Sequence, residues 1–205
     1  MKAYIYCTQT KPFLYEGDTD KGPRYFSDNK DYKNDNPKLN GSIVVECDVK
    51  EAFKYDFVHR SGDSSNFYIR DQRTERMKDC LSNDDLFDYG KGKPLYAYHL
   101  ENVNPVELHL SDFYEDEDCT KPLTKAPQSY RFAYRRHDCT DEEARMINKW
   151  SDQEGHECFQ DVYGWYYVEK CLIFSDHAQY CAKMLNGEKD LDVRKTRIAE
   201  GVEYK

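Results

Sequence analysis

Hydrophobic and polar residues alternate along much of this chain with the two-residue period of a strand, and only in short windows with the period of a helix. Ala3–Thr8, AYIYCT, alternates Tyr4 and Tyr6 with Ala3 and Ile5. Gly41–Val49, GSIVVECDV, has a β-branched centre that suits a pleated surface. Phe53–Ile69 predicts one or two more strands, broken at Ser61-Gly62-Asp63, and Pro94–Val103, PLYAYHLENV, predicts another. Pro122–Tyr134 reads as a turn followed by an aromatic strand, and Asp161–Glu169 as a further aromatic, β-like run. Two helix starts are marked by capping signals: Ser82-Asn83-Asp84-Asp85 before a short helix to Gly90, and Thr140-Asp141-Glu142-Glu143 before a helix through Trp150.

The most structured window is Cys171–Ile198. Leu172, Ile173 and Phe174 form an apolar run, and Ser175 or Asp176 is placed to cap a following helix. Ala178, Cys181, Met184 and Leu185 recur at helical spacing, and Gly187 stands where a left-handed terminator is wanted. Leu191 and Val193 then alternate with Asp190, Asp192 and Arg194, the period of a half-buried strand. The pattern predicts six to eight short strands and three short helices, an α+β, β-rich domain in the form of a mixed β-barrel with short peripheral helices.

Composition changes this picture little. Mean hydropathy is −0.99, yet 18 Tyr, 10 Phe and 2 Trp supply rings enough for a core. A net charge of −9 argues against a general grip on phosphate backbones, though not against a small basic pocket. With neither a membrane-length apolar run nor a signal-peptide pattern, the expectation is a soluble, cytoplasmic protein with reduced thiols. Cys7, Cys47, Cys171 and Cys181 fall inside apolar patterns and read as core residues. Two short motifs, His137-Asp138-Cys139 and His156-Glu157-Cys158, with Cys119 upstream, offer zinc-ligand chemistry at a spacing that matches no usual finger or ribbon. The favoured reading is polar loop residues beside an inserted helix, with no metal and no cofactor. Glu16–Asn40 reads as a long polar loop.

Taken in order, several segments resemble the ASCH domain family, a branch of the PUA-like β-barrels. Gly187, Lys189 and Arg194 in LNGEKDLDVRK are similar to the family's opening G-x-K-x-x-x-x-R element. AYIYCT, GSIVVECDV, SNDDLFDYGKGK, YAYHLENV and PLTKAPQSYRF are similar to the strands, helix and closing element that follow it. Here the opening element stands at the C-terminal end, so the resemblance implies one circularly permuted domain over residues 1–205. Residues 16–40 would be a loop insertion and residues 138–163 an inserted helix and linker. A closed barrel has no privileged first strand. An exchange of the terminal unit between two chains is the alternative, so that both a monomer and a swapped dimer stay open. The combination also resembles uncharacterised bacteriophage proteins.

The resemblance implies RNA or a nucleotide or modified-nucleobase ligand in a cleft holding Lys189 and Arg194, with Glu46 and Tyr6 as further candidates. It also implies an alternative activity, amide hydrolysis on acylated cytidine, in which Lys189 would act with a Thr three residues on. Asp192 occupies that position, so Lys189, Asp192 and Glu46 would be the catalytic set, and the enzyme reading is the weaker one. A reading from another class rests on Asp112, Glu115, Asp116, Glu117 and Asp118. This acidic run could imitate phosphates and bind a basic host nuclease or DNA-binding protein, as a phage counter-defence factor would.

Overall fold

The computed structural model describes residues 1–8, 41–59, 66–69, 83–150 and 155–198. The predicted loop at 16–40 and the break at Ser61-Gly62-Asp63 lie outside the described residues. The described strands are β1 (Lys2–Thr8), β2 (Ile43–His59), β3 (Asn66–Ile69), β4 (Leu95–Leu108), β5 (Phe113–Tyr114), β6 (Tyr130–Cys139), β7 (Cys158–Asp161), β8 (Gly164–His177) and β9 (Leu191–Arg194). The helices are α1 (Asn83–Gly90), α2 (Asp141–Trp150) and α3 (Ala178–Leu185). No helix among the described residues is long and apolar enough to cross a membrane.

These strands make one mixed sheet in the order β5-β6-β8-β1-β2-β4-β9, with β3 paired to β2 and β7 to β8. Only β1 and β8 run parallel, Ala3 opposite Leu172 through Thr8 opposite His177; every other pairing is antiparallel. The hydrogen-bonded path is open, with β5 and β9 as its ends. The molecule is thus a sheet-rich α+β domain whose backbone ladder, among the described residues, does not close on itself.

Strand alternation sorts the core into two faces. Ala3, Ile5 and Cys7 of β1, Val45 and Cys47 of β2, and Leu172 and Phe174 of β8 share a cluster with Cys181 and Met184, so α3 covers this face. Tyr4, Ile43, Cys171 and Ile173 turn the other way and are covered by Phe113 and Leu123. Beyond β4, α1 lays Leu86 against Tyr55, Leu95, Ala97, Leu191 and Val193. The four thiols read as core residues, Cys7, Cys47, Cys171 and Cys181, are all buried.

Most elements follow the sequence pattern, with extensions. The strand foreseen at Gly41–Val49 runs on to His59, and the apolar run at Leu172–Phe174 is the end of a 14-residue strand that includes Asp161–Glu169's aromatic stretch from Gly164 on. The Thr140 capping box forms: the Thr140 amide donates to Glu143 Oε2 at 2.7 Å, and the Glu143 amide donates to Thr140 Oγ1 at 3.2 Å. Gly187 takes φ +69° just past α3, the left-handed region where a Cβ is disfavoured. Two expectations change. Ser175 and Asp176 belong to β8, which runs on to His177, and His177 takes the N-cap position of α3 in their place. And β9 is buried on both faces, because α1 covers Leu191 and Val193 while Asp192 and Arg194 turn toward the α3 side.

Candidate functional site

The segment leading into β9 and the buried polar face of that strand build the site. Lys189, Asp192 and Arg194 are each less than a tenth exposed. Arg194 Nε donates to Asp192 Oδ2 at 2.5 Å, and Lys189 Nζ lies 3.7 Å from Asp192 Oδ1 while donating to the Leu191 carbonyl. Arg194 Nη1 donates to the carbonyls of Ser129 (3.1 Å) and Ser175 (3.2 Å), tying the end of β9 to the foot of β6 and to β8. Its guanidinium stacks over the Phe174 ring, 4.8 Å from the centroid. Arg194 Nη2 is buried and has no hydrogen-bond partner. An unmet guanidinium donor in such a place carries a large desolvation cost.

Asp176, at the end of β8, completes a charge quartet. Burial, and then repulsion from Asp192, push its carboxyl up to about 6. Asp192 goes the other way: despite burial, Arg194 and Lys189 hold it below the ordinary carboxylate range, helped by a hydrogen bond with Asp176. Two carboxylates cannot donate to one another, so that bond calls for a proton on Asp176. Tyr180 of α3 flanks the quartet with Lys189 Nζ 5.8 Å from its ring centroid. Tyr89 of α1, 38 % exposed, has its phenol pushed up by burial and by Asp192 and Asp176, with Arg194 opposing. Ser175 is buried as well and donates to the Pro127 carbonyl at 2.5 Å.

Lys189, Asp192 and Arg194 are therefore brought together, but Glu46 and Tyr6 are not part of this group. Cys47 faces the α3 side and feels Asp192, so its neighbour Glu46 points to the opposite face. There Glu46 lies 3.3 Å from Lys2 Nζ and 4.0 Å from Arg135 Nη1. Tyr6 packs on that face too. A catalytic set of Lys189, Asp192 and Glu46 is split by the thickness of the sheet. Tyr4, two residues before Tyr6 on the same strand, is buried edge-on against Phe113 at 4.9 Å.

The opposite face holds a second polar network that the sequence did not announce. Tyr4 OH donates to Glu169 Oε2 at 2.9 Å and accepts from Arg135 Nη1 at 2.8 Å, while His137 Nε2 meets Glu169 Oε2 at 3.1 Å. Burial would raise the Glu169 carboxyl, but the His137 and Tyr4 contacts outweigh it and hold it below its ordinary value. Burial, with the Glu169 charge added, pushes the Tyr4 phenol well above its ordinary range.

The zinc candidates do not converge on one point. His137 and His156 each stack on Tyr167, at 4.7 and 4.6 Å, so that the tyrosine ring stands between the imidazoles, and His137 is held by Glu169. Cys139 and Cys158 touch, Sγ to Sγ 3.7 Å, and Cys119 sits on the turn after β5 with its Sγ on the Glu117 carbonyl. No group of three or more His, Cys, Asp or Glu among the described residues is arranged to hold a metal.

The acidic run is largely spent on its own loop. Asp112 accepts from the His109 amide at 2.7 Å, Asp116 takes the amides of Thr120 and Lys121 together with the Thr120 hydroxyl, and Glu115 lies 3.3 Å from Arg131. These bonds fold Glu115–Leu123 back over β5. Comparison with known proteins finds no family, no curated relative and no solved structure that matches this chain.

Proposed function

We propose that this protein binds a nucleic-acid-derived ligand, a base or nucleotide free or within RNA, in an ASCH-type cleft of a permuted PUA-like domain. The observation that carries the reading is the unmet Arg194 Nη2 donor inside the Lys189–Asp192–Arg194–Asp176 quartet. Lys189 Nζ and the Nε and Nη1 groups of Arg194 are already bonded within the fold, which leaves Nη2 as the donor of this group open to a ligand. Such a site suits the neutral donor and acceptor edge of a base better than a phosphate. A carbonyl oxygen opposite Nη2 and an amino or imide group opposite Asp176 would satisfy both, with Tyr89 and Tyr180 as flanking rings.

The fold assignment is supported by the strand-helix-strand unit β8-α3-β9, by its antiparallel junction with β4, and by the shared packing of Met1 and Ile198 on one cluster, as a permuted chain requires. In this reading the barrel is opened between β9 and β6. Arg194 and the Tyr130 hydroxyl, which donates to the Arg197 carbonyl at 3.1 Å, span the gap by side chains in place of a ladder.

The test is calorimetric titration of the protein with cytidine, uridine and a short single-stranded RNA. Binding with a weak salt dependence is expected, since few phosphates are engaged. Arg194→Lys removes the second guanidinium arm and should weaken binding at least roughly tenfold, the loss of one buried charge-assisted contact. Absence of binding by all three probes, or an unchanged affinity in a folded Arg194→Lys protein, overturns the proposal. Turnover of an acylated cytidine that Lys189→Ala abolishes would move the reading to the hydrolase alternative.

A further inference from the structure

The two His-x-Cys motifs acquire a meaning in the fold that their spacing did not show. Cys139 is the last residue of β6, opposite Trp165 on β8, and Cys158 is the first of β7, opposite Tyr167 on the same strand. Their sulfurs are in contact at 3.7 Å without a bond. Access to the two differs. Cys139 is half-buried and lines a cleft of about 370 Å³ between β6 and α2, together with His137, Glu142, Met146, Ile147 and Tyr167. Cys158 lies behind it, 6 % exposed, and its backbone is clamped by the Asn148 amide of α2 through bonds of 2.8 and 3.3 Å.

We propose that Cys139 and Cys158 form a reversible redox site that consumes hydroperoxides, with Cys139 as the attacking thiol and Cys158 as the resolving one. The chemistry balances. The Cys139 thiolate attacks the O–O bond of ROOH, giving Cys139 sulfenic acid and an alkoxide that leaves as ROH after taking a proton. The Cys158 thiolate then attacks that sulfur and expels hydroxide, which leaves as water. Two thiols and ROOH thus become a disulfide, ROH and H₂O, and an external dithiol returns the pair to thiols by exchange, itself becoming a disulfide. The sulfurs must close from 3.7 Å to the ordinary bond length of about 2.05 Å. Cys139 is the last residue of its strand, with Thr140 alone between it and α2. The product would tie the end of β6 to the start of β7 beneath α2.

The chain carries its own control. Cys7 and Cys181 are also hydrogen-bonded to one another, but at 0 % and 2 % exposure neither is open to a peroxide. The experiment treats the reduced protein with hydrogen peroxide or tert-butyl hydroperoxide, alkylates the remaining thiols and maps the peptides by mass spectrometry. The expected result is a Cys139–Cys158 linked peptide, reversed by dithiothreitol, with Cys7 and Cys181 alkylated as in untreated protein. In Cys158→Ser the reaction should stop at a Cys139 sulfenic acid that dimedone captures. Cys139→Ser should leave Cys158 unmodified. The proposal is overturned if Cys139 proceeds to sulfinic acid in the wild-type protein without a linked peptide. It is equally overturned if Cys139 reacts no faster than the buried Cys47 and Cys171.

Discussion

Two polar clusters lie on opposite faces of one sheet, and they differ in completeness. Around Glu169, the groups meet: Tyr4 and His137 both reach the carboxylate, and Arg135 reaches the Tyr4 hydroxyl. Around Asp192, one guanidinium nitrogen is left over and one carboxyl is pushed up to about 6. A fully satisfied buried network rigidifies a fold, whereas an unsatisfied one stores unfavourable energy that a ligand can relieve. The difference is the ground for placing the proposed ligand on the Asp192 face rather than on the Glu169 face.

The comparison is most severely tested at Asp192. Asp192→Asn leaves Arg194 and Lys189 buried without a full counter-charge, and should destabilise the protein by about 3–5 kcal/mol in urea unfolding. Little change would mean that the quartet is more open to water than its burial shows. Asp176→Asn should act in the opposite sense. A carboxyl whose folded value is raised favours the protonated form. Its contribution is therefore fully present below about pH 4 and is lost as pH rises toward 6. At pH 7 the Asn variant should be the more stable protein, by on the order of 2 kcal/mol, with the advantage vanishing near pH 4.

Smaller effects are expected on the completed face. Tyr4→Phe removes one bond from Glu169 and one from Arg135, and should cost about 1–2 kcal/mol by thermal or urea unfolding. The Glu169 carboxyl is lowered, so its contribution is present above the ordinary carboxylate value and lost as pH falls below it, the reverse of Asp176. If both clusters lost stability in the same pH direction, the distinction between them would fail. The smallest effect belongs to Glu117 and Asp118, exposed on the acidic turn. Neutralising both to Gln and Asn should shift stability by less than about 0.5 kcal/mol.

Much of the fold is legible in the chain because it rests on local periodicity. The alternation of AYIYCT, the β-branched centre of GSIVVECDV, the Thr140–Glu143 box and the stop at Gly187 each specify an element without reference to anything distant. The Lys189–Arg194 element is legible in the same way. Asp176 was not, since a carboxyl after an apolar run looks like a helix cap, and only the extension of β8 makes it a partner of Asp192. Nor was the Glu169 network, whose members Tyr4, Arg135, His137 and Glu169 come from three strands.

The sequence by itself determined most of the strand and helix segments, and that Asp192 and Arg194 share one face of β9. Only the tertiary structure decided that this polar face is largely buried, because α1 covers Leu191 and Val193 on one side of the strand while β8 packs against Arg194 on the other. It likewise decided that Glu46 and Tyr6 belong to the far side of the sheet, and that Cys139 meets Cys158 across β8. Periodicity sets the face a side chain takes; which layer then covers that face depends on contacts between residues far apart in the chain.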